Sequence, residues 1–241
     1  MQESVMGRAF EYRKAAKMKR WGNMSRVFPK LAKAIEKAAK EGGGDPDMNP
    51  KLRTAILNAK SENMPKDNIA AAIKRATGKD AKDMLEVNFE GKGPNGSLIL
   101  VECLTDNNTR SVANIKNIIN RNGGELLNKG ALDFMFSRKA IFEFEMPEGA
   151  DIEELELELI DAGLEEIEAE DGICIVHTDY TDFGNMTHAL EDMGVEMKKA
   201  TLEYIANTPI ELTEEQHELL QPMLEKLDDD EDVQAVYTNF S

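Results

Sequence analysis

A chain of 241 residues with 41% apolar content can bury more than one core, so two or three domains are expected. No apolar run approaches the roughly 18 residues of a membrane span, and no apolar stretch near the N-terminus reads as a secretory signal, so the expectation is cytoplasmic. A net charge of −17 argues, for a uniform chain, against a polyanionic partner, but this chain is not uniform. Residues 1–79 carry 18 Lys and Arg against 8 Asp and Glu, a net of +10, and residues 80–241 carry 11 against 38, a net of −27. The first segment is therefore the candidate for nucleic acid, and the acidic remainder for protein partners. Cys103 and Cys174 each sit inside an apolar run and are expected as reduced, buried strand residues.

In chain order, residues 8–20 gather Arg8, Arg13, Lys14, Lys17, Lys19 and Arg20 around only Phe10, Tyr12 and Met18. That is the composition of an arm weakly ordered when free. From Met24, the residues Val27, Phe28, Leu31, Ile35 and Ala38 recur at three- and four-residue spacing, one face of a helix. The run Glu41-Gly-Gly-Gly-Asp-Pro46 stops it, because glycine is entropically costly in a helix and proline lacks a donor. Asn49-Pro50 reads as an N-cap with proline in the first turn, followed by Leu52, Ala55, Ile56 and Ala59 at helical spacing. A third helix starts at Pro65, with Asp67 in its first turn and Ile69, Ala72 and Ile73 on its buried side.

The other faces of this three-helix module are basic. Cations placed on phosphates release counterions and dominate affinity. The candidate nucleic-acid contacts are Arg8, Arg13, Lys14, Lys17, Lys19, Arg20, Arg26, Lys30, Lys33, Lys51, Arg53, Lys66, Lys74 and Arg75. Asn23, Asn63 and Asn68 are candidates for reading base edges, although asparagines near helix starts are more often caps. A helix-turn-helix places its recognition helix after a turn of three or four residues, and the Gly42–Asn49 corner is longer, which tilts the expectation from DNA towards RNA.

Beyond residue 80 the pattern changes. Leu85–Phe89 and Leu98–Cys103 read as strands around Gly91-Lys-Gly-Pro-Asn-Gly96. That loop formally matches G-x-G-x-x-G, but a strand-like run follows it instead of a helix, so it is a hairpin turn and no cofactor is expected. A helix with Val112, Ile115, Ile118 and Ile119 on one face stops at Gly123-Gly124, and Ala131–Phe136 is expected as the next strand. Residues 138–207 read as β-α-β-β-α-β, the ferredoxin-like pattern. Its strands are 141–144, 164–168, 173–176 and 197–205; one helix opens on an Asp151/Glu154 capping box and the other on Thr181. A further capping box, Thr213 with Gln216, opens a helix with Leu219, Leu220, Met223, Leu224 and Leu227, and Val233–Tyr237 is a final strand. A lone helix and strand cannot bury a core. The expected plan is a basic helical domain at 6–79, a discontinuous α+β domain at 80–137 plus 208–241, and a ferredoxin-like domain at 138–207 inserted within it.

No catalytic constellation stands out, and no enzyme activity or small-molecule substrate is expected. His177, His188 and His217 lack metal-ligand spacing. The acid pairs Glu153-Glu154 and Glu165-Glu166 are solvated faces. Asp228-Asp-Asp-Glu-Asp232 lacks the glycine a calcium loop needs and reads as an acidic breaker after a helix.

An ordered set of motifs spans nearly the whole chain: Lys37-Ala-Ala-Lys-Glu-Gly-Gly-Gly-Asp-Pro46, Asn49-Pro-Lys-Leu-Arg53, Asn63-Met-Pro-Lys-Asp-Asn-Ile69, Ile73-Lys-Arg75, Cys103-Leu-Thr-Asp-Asn-Asn-Thr-Arg110, Gly130-Ala-Leu-Asp-Phe-Met-Phe136 and Pro209-Ile-Glu-Leu212. It resembles the YebC/PmpR family, described as probable transcriptional regulators, with mitochondrial relatives described as translational activators. The resemblance implies an α+β fold of three domains, the helical module first and two ferredoxin-like α+β domains after it, one inserted in the other. It also implies nucleic-acid association. Met6-Gly7 matches the family's usual start, but Gly7-Arg-Ala-Phe-Glu11 replaces its more common Gly-His-Ser-Lys-Trp, and the only tryptophan is Trp21. The expected function is a nucleic-acid-binding regulator of gene expression, acting on DNA as a transcriptional regulator, with a translation factor on ribosomal RNA as the alternative.

Overall fold

The structure, a computed structural model, describes residues 24–78, 81–147 and 149–240. Helix α1, Met24–Gly42, carries Pro29 in its second turn, where the missing N–H costs one backbone bond without ending the helix. It stops where the sequence stops it. Gly43 adopts a φ of +91°, a left-handed conformation natural to glycine, and a Cβ on Gly42 would lie 2.6 Å from the Asn49 side chain. Asn49 is buried and caps twice over. Its side-chain oxygen accepts from the Leu52 N–H at 3.1 Å, opening α2 (Pro50–Ser61), and its amide donates to the Ala38 and Gly43 carbonyls at 2.8 Å each. Helix α3, Lys66–Ala76, follows a four-residue connection in which Asn63 takes a positive φ of 60°.

The chain divides into two compact units. The first holds residues 24–34, 82–131 and 209–240 among those described. Its strands β1 (Leu85–Lys92) and β2 (Leu98–Thr105) form an antiparallel hairpin across a short turn at Pro94–Gly96, as the sequence predicts. Helix α4 runs Asn108–Arg121, capped by Asn107, whose side chain accepts from the Arg110 N–H. The short strand β3 (Glu125–Leu126) then pairs with β1. The strand expected at Ala131–Phe136 is not there: residues 129–135 turn, and the edge of the sheet is β3. The sequence signal of apolar residues at 131–136 reflects instead Leu132, buried within that turn, and Phe136, buried at the start of the strand that follows it. Helix α7 (Glu214–Asp229), opened by the full Thr213/Gln216 capping box, and strand β8 (Val233–Thr238) complete the unit. The sheet order is β3-β1-β2-β8, every neighbour antiparallel. Its core joins Ile99, Val101 and Cys103 to Ile115 and Ile119 of α4 and to Leu220, Met223 and Leu227 of α7. Each fully buried aliphatic side chain there contributes about 1.5–3 kcal/mol of burial free energy.

The second unit holds residues 35–78, 81, 132–147 and 149–208 among those described. Strand β4 (Phe136–Glu145) is followed by α5 (Ile152–Leu159), β5 (Leu164–Glu170), β6 (Ile173–Asp179), α6 (Phe183–Asp192) and β7 (Met197–Ala206). The order β5-β6-β4-β7 is that of a ferredoxin-like sheet, and Phe142, Phe144, Leu155, Leu159, Val176, Met186 and Leu190 fill its core. Asp151 caps α5 through the Glu153 N–H. The start of α6 differs from expectation: its N-cap position is Asp182, which makes no side-chain cap bond, and Thr181 lies inside a single turn at 180–182 that Asp179 caps by accepting from the Thr181 N–H and hydroxyl. Aspartate accepts more strongly there than a threonine hydroxyl does.

Helix α2 belongs to this unit through one side chain above all. Asn58 donates to the Ala200 carbonyl at 2.7 Å and accepts from the Ala200 N–H at 3.0 Å. Because β7 is the edge of its sheet, these are backbone groups that no further strand satisfies. Leu57 packs against the same core.

Candidate nucleic-acid interface

Six of the expected contacts, Arg8, Arg13, Lys14, Lys17, Lys19 and Arg20, lie outside the described residues, as does Asn23. The other eight fall into two sets, one in each unit.

The first set is Arg26, Lys30 and Lys33. Spacings of four and three put them on one face of α1. Each is engaged with the acidic run at the end of α7. Arg26 pairs with Asp229; Lys30 Nζ donates to Asp228 at 2.7 Å; Lys33 Nζ donates to Asp232 at 3.0 Å and to the Glu231 carbonyl at 2.6 Å. The run is more than an acidic breaker after a helix.

Asp232 is the centre of this arrangement. It is fully buried, and Arg110 grips its carboxylate through Nε at 3.0 Å and Nη2 at 2.7 and 2.8 Å. The Ser111 hydroxyl donates to it at 2.9 Å. Burial alone would raise its carboxyl pKa, but the hydrogen bonds from Arg110, Lys33 and Ser111 outweigh burial and hold it down at about 2. Arg110 also donates to Asp106 at 2.9 Å, and Lys82 pairs with that same carboxylate. Asn114 donates to Asp230 at 3.0 Å. The Thr105–Arg110 motif is thereby explained as one side of a polar clasp that ties α1, α4 and the α7–β8 turn together. Next to it, burial first and then the Asp230 and Asp232 charges push the Cys103 thiol up to about 12, so it is inert as a nucleophile.

The second set is Lys51, Arg53, Lys66, Lys74 and Arg75, and neighbouring acids thin it. Lys51 reaches Glu41 at 3.3 Å, and Arg75 donates to Glu36 at 2.7 Å. Arg53 donates to the Pro46 carbonyl at 3.4 Å. Lys37 first, then Lys51, lower the Glu41 pKa against its modest desolvation. Lys66 and Lys74 on α3, and Lys60 at the end of α2, are exposed, and their side chains make no ion pair or hydrogen bond with any described residue. Lys60 was not among the expected contacts, and its place next to the α2–α3 turn is the signal that would have found it.

That turn also changes the motif analysis. Only four residues, 62–65, separate α2 from α3, the length a helix-turn-helix uses, whereas the sequence reading measured the longer corner before α2. Asn68 lies exposed in the first turn of α3 and is not its cap, which is Pro65. Of the other base-reading candidates, Asn63 is a turn residue with positive φ.

The remaining singled-out residues take structural places. His177 is buried on β6, His188 lies 3.8 Å from Glu191 on α6, and the His217 ring meets Phe240 edge-on at 5.6 Å. Among the described residues no group of His, Cys, Asp and Glu is placed to hold a metal, and no helix is long and apolar enough to cross a membrane. Cys103 and Cys174 are both buried and free.

Comparison with known proteins gives a consistent set of matches. Residues 8–79 match the family model described as TACO1/YebC protein N-terminal domain, and residues 84–240 the one described as TACO1/YebC second and third domain. A protein of Sulfurimonas denitrificans named "Probable transcriptional regulatory protein" is 64% identical over 98% of this chain and all of its own length. A protein of the same name from Sulfurovum sp. is 62% identical with the same coverage, and one from Campylobacter jejuni is 59% identical over 97% of this chain and 99% of its own. Among solved structures, a conserved hypothetical protein from Aquifex aeolicus superposes with a TM-score of 0.74 at 32% identity, covering 90% of each chain.

Proposed function

The chain belongs to the TACO1/YebC family, and from that membership and the segregation of its charge we propose that it is a regulator of gene expression that binds DNA through its basic N-terminal residues, 6–79. The observation that carries this reading is the cationic surface of α2 and α3: Lys60, Lys66 and Lys74 stand exposed with no acid among the described residues holding them, in a chain whose net charge is −17. Such cations are available to phosphate, and each one placed there releases counterions. The four-residue connection into α3 supports DNA over RNA. In a helix-turn-helix the first turn of the second helix meets base edges, and here that turn offers Lys66 and Asn68. The domain division at 6–79, 80–137 with 208–241, and 138–207 belongs to the same proposal, with the acidic portions facing protein partners.

The test is recovery of nucleic acid with the full chain from lysate, sorted into chromosomal fragments and ribosomal RNA. Enrichment of a small set of chromosomal fragments supports the reading. Ribosomal RNA in their place favours the alternative of a translation factor that sets the same cations on RNA phosphates. Recovery of neither refutes both.

A further inference from the structure

The α1 face formed by Arg26, Lys30 and Lys33 has the build of a phosphate-binding row. Along the helix axis its members are about 6 Å and about 4.5 Å apart, comparable with one to two steps of about 3.4 Å along a nucleic-acid strand. Yet each member already holds an anion of its own chain: Asp229, Asp228 and Asp232 respectively. Helix stability does not account for those acids. Asp228 and Asp229 sit in the last turn of α7, at the negative end of its dipole, where carboxylates are a local cost.

We propose that Asp228 and Asp229 stand in for phosphates on this face, so that the free protein keeps it closed and a nucleic-acid backbone opens it by displacing them. The inference rests on the nucleic-acid reading above. The three pairs divide into a fixed one and two exchangeable ones. Asp232 has no exposed side-chain surface and is gripped by Arg110 and Ser111, so the Lys33 contact is anchored. Asp228 and Asp229 have side chains 53% and 43% exposed, and ion pairs at that exposure contribute little net free energy. Those two carboxylates can swing into water at small cost. Lys30 and Arg26 are then presented on a helix already positioned by the Lys33–Asp232 anchor, which is the pre-organisation that makes a late contact favourable.

The experiment uses the full chain and fluorescence anisotropy with two probes, a labelled DNA duplex and a labelled single-stranded RNA, from about 0.01 M to about 0.15 M salt. The variant Asp228→Asn/Asp229→Asn is compared with Glu214→Gln/Glu215→Gln, which removes the same charge from the far end of the same helix, where both acids are exposed. The expected result is a gain of roughly threefold to tenfold in affinity at the lowest salt for the first variant, fading towards physiological salt, and less than twofold for the second. Adding Lys30→Ala to the first variant should remove most of the gain, and Asp228→Asn alone should show part of it. Equal gains from both double variants would mean that net charge acts without any specific contact, which overturns the inference. Wild type that binds and a first variant that binds no better also overturns it, while leaving the nucleic-acid reading standing. Failure of every protein to bind either probe removes that reading and this inference with it.

Discussion

Replacing Asp232 with Asn keeps the shape of the side chain and removes its charge, which isolates the electrostatic part of the clasp. The carboxylate is fully buried beneath Arg110, Lys33 and Ser111, and its pKa falls from an ordinary 3.8 to about 2. At about 1.36 kcal/mol per pKa unit, that depression corresponds to roughly 2–3 kcal/mol of folding free energy linked to its ionisation. Removing one member of a buried ion pair costs about 3–5 kcal/mol. Lys33 and Arg110 are partly exposed, and Arg110 keeps Asp106, so the lower end applies: about 3 kcal/mol at pH 7. The sign follows from the direction of the shift. A carboxyl whose pKa is depressed by folding contributes above its unfolded value near 3.9, and that contribution is lost as pH falls through about 2. Wild type and Asp232→Asn should therefore differ by about 3 kcal/mol at pH 7 and converge to within about 1 kcal/mol near pH 2. Urea titrations at a series of pH values measure the gap. Exchange of the Leu104 amide, which donates to the Asp232 carbonyl at 2.8 Å, reports on the right unit. A gap below about 1 kcal/mol at pH 7, or one that stays constant down to pH 2, would refute the account.

Asn49→Ala should destabilise the helical segment by about 2–3 kcal/mol, since it removes the α2 cap and strands the Ala38 and Gly43 carbonyls; a denaturation midpoint followed by helix signal measures it. Asn58→Ala should cost about 1–3 kcal/mol and raise the exchange rate of the Ala200 amide selectively, because that amide loses its acceptor at the sheet edge. Lys66→Ala with Lys74→Ala should leave stability within about 0.5 kcal/mol of wild type and reduce the log-log salt slope of DNA binding by roughly 1.8, since these exposed side chains make no hydrogen bond or ion pair with a described residue. Asn68→Ala should instead flatten discrimination among DNA sequences while leaving non-specific affinity unchanged; a uniform loss across sequences would make Asn68 a backbone contact.

Local chemistry made much of the fold legible. Asn49-Pro50 and Thr213/Gln216 act on their immediate neighbours, and each marks a helix start where the sequence places it. The second sheet was legible for the same reason, as a run of strands and helices with their own punctuation. The misses share a different cause. Ala131–Phe136 has the composition of a strand, but Glu125 and Leu126 take the place beside β1, residues 129–135 turn, and only Phe136 enters a strand, β4. Pairing is non-local, and propensity over six residues does not report it. Thr181 reads as the cap of α6, but an extra turn at 180–182 precedes that helix, capped by Asp179, and moves the α6 N-cap position to Asp182. The α2–α3 connection was readable in the residues and passed over for the more conspicuous glycine corner.

Charge shows the limit most plainly. The excess of +10 over residues 1–79 does not describe the surface a partner meets. Residues 24–34 contribute three cations and no acid, and all three cations face carboxylates that arrive some two hundred positions later in the chain. Residues 35–78 hold eight cations against six acids, and two of those acids, Glu36 and Glu41, engage Arg75, Lys37 and Lys51. Among those eight cations, the side chains with no polar partner among the described residues are Lys60, Lys66 and Lys74. A count along the sequence weighs an engaged lysine and an unengaged one alike, although a phosphate reaching the first must displace a carboxylate and the second only water. The same −17 chain can therefore carry a localised cationic site, set by which lysines its own acids do not reach.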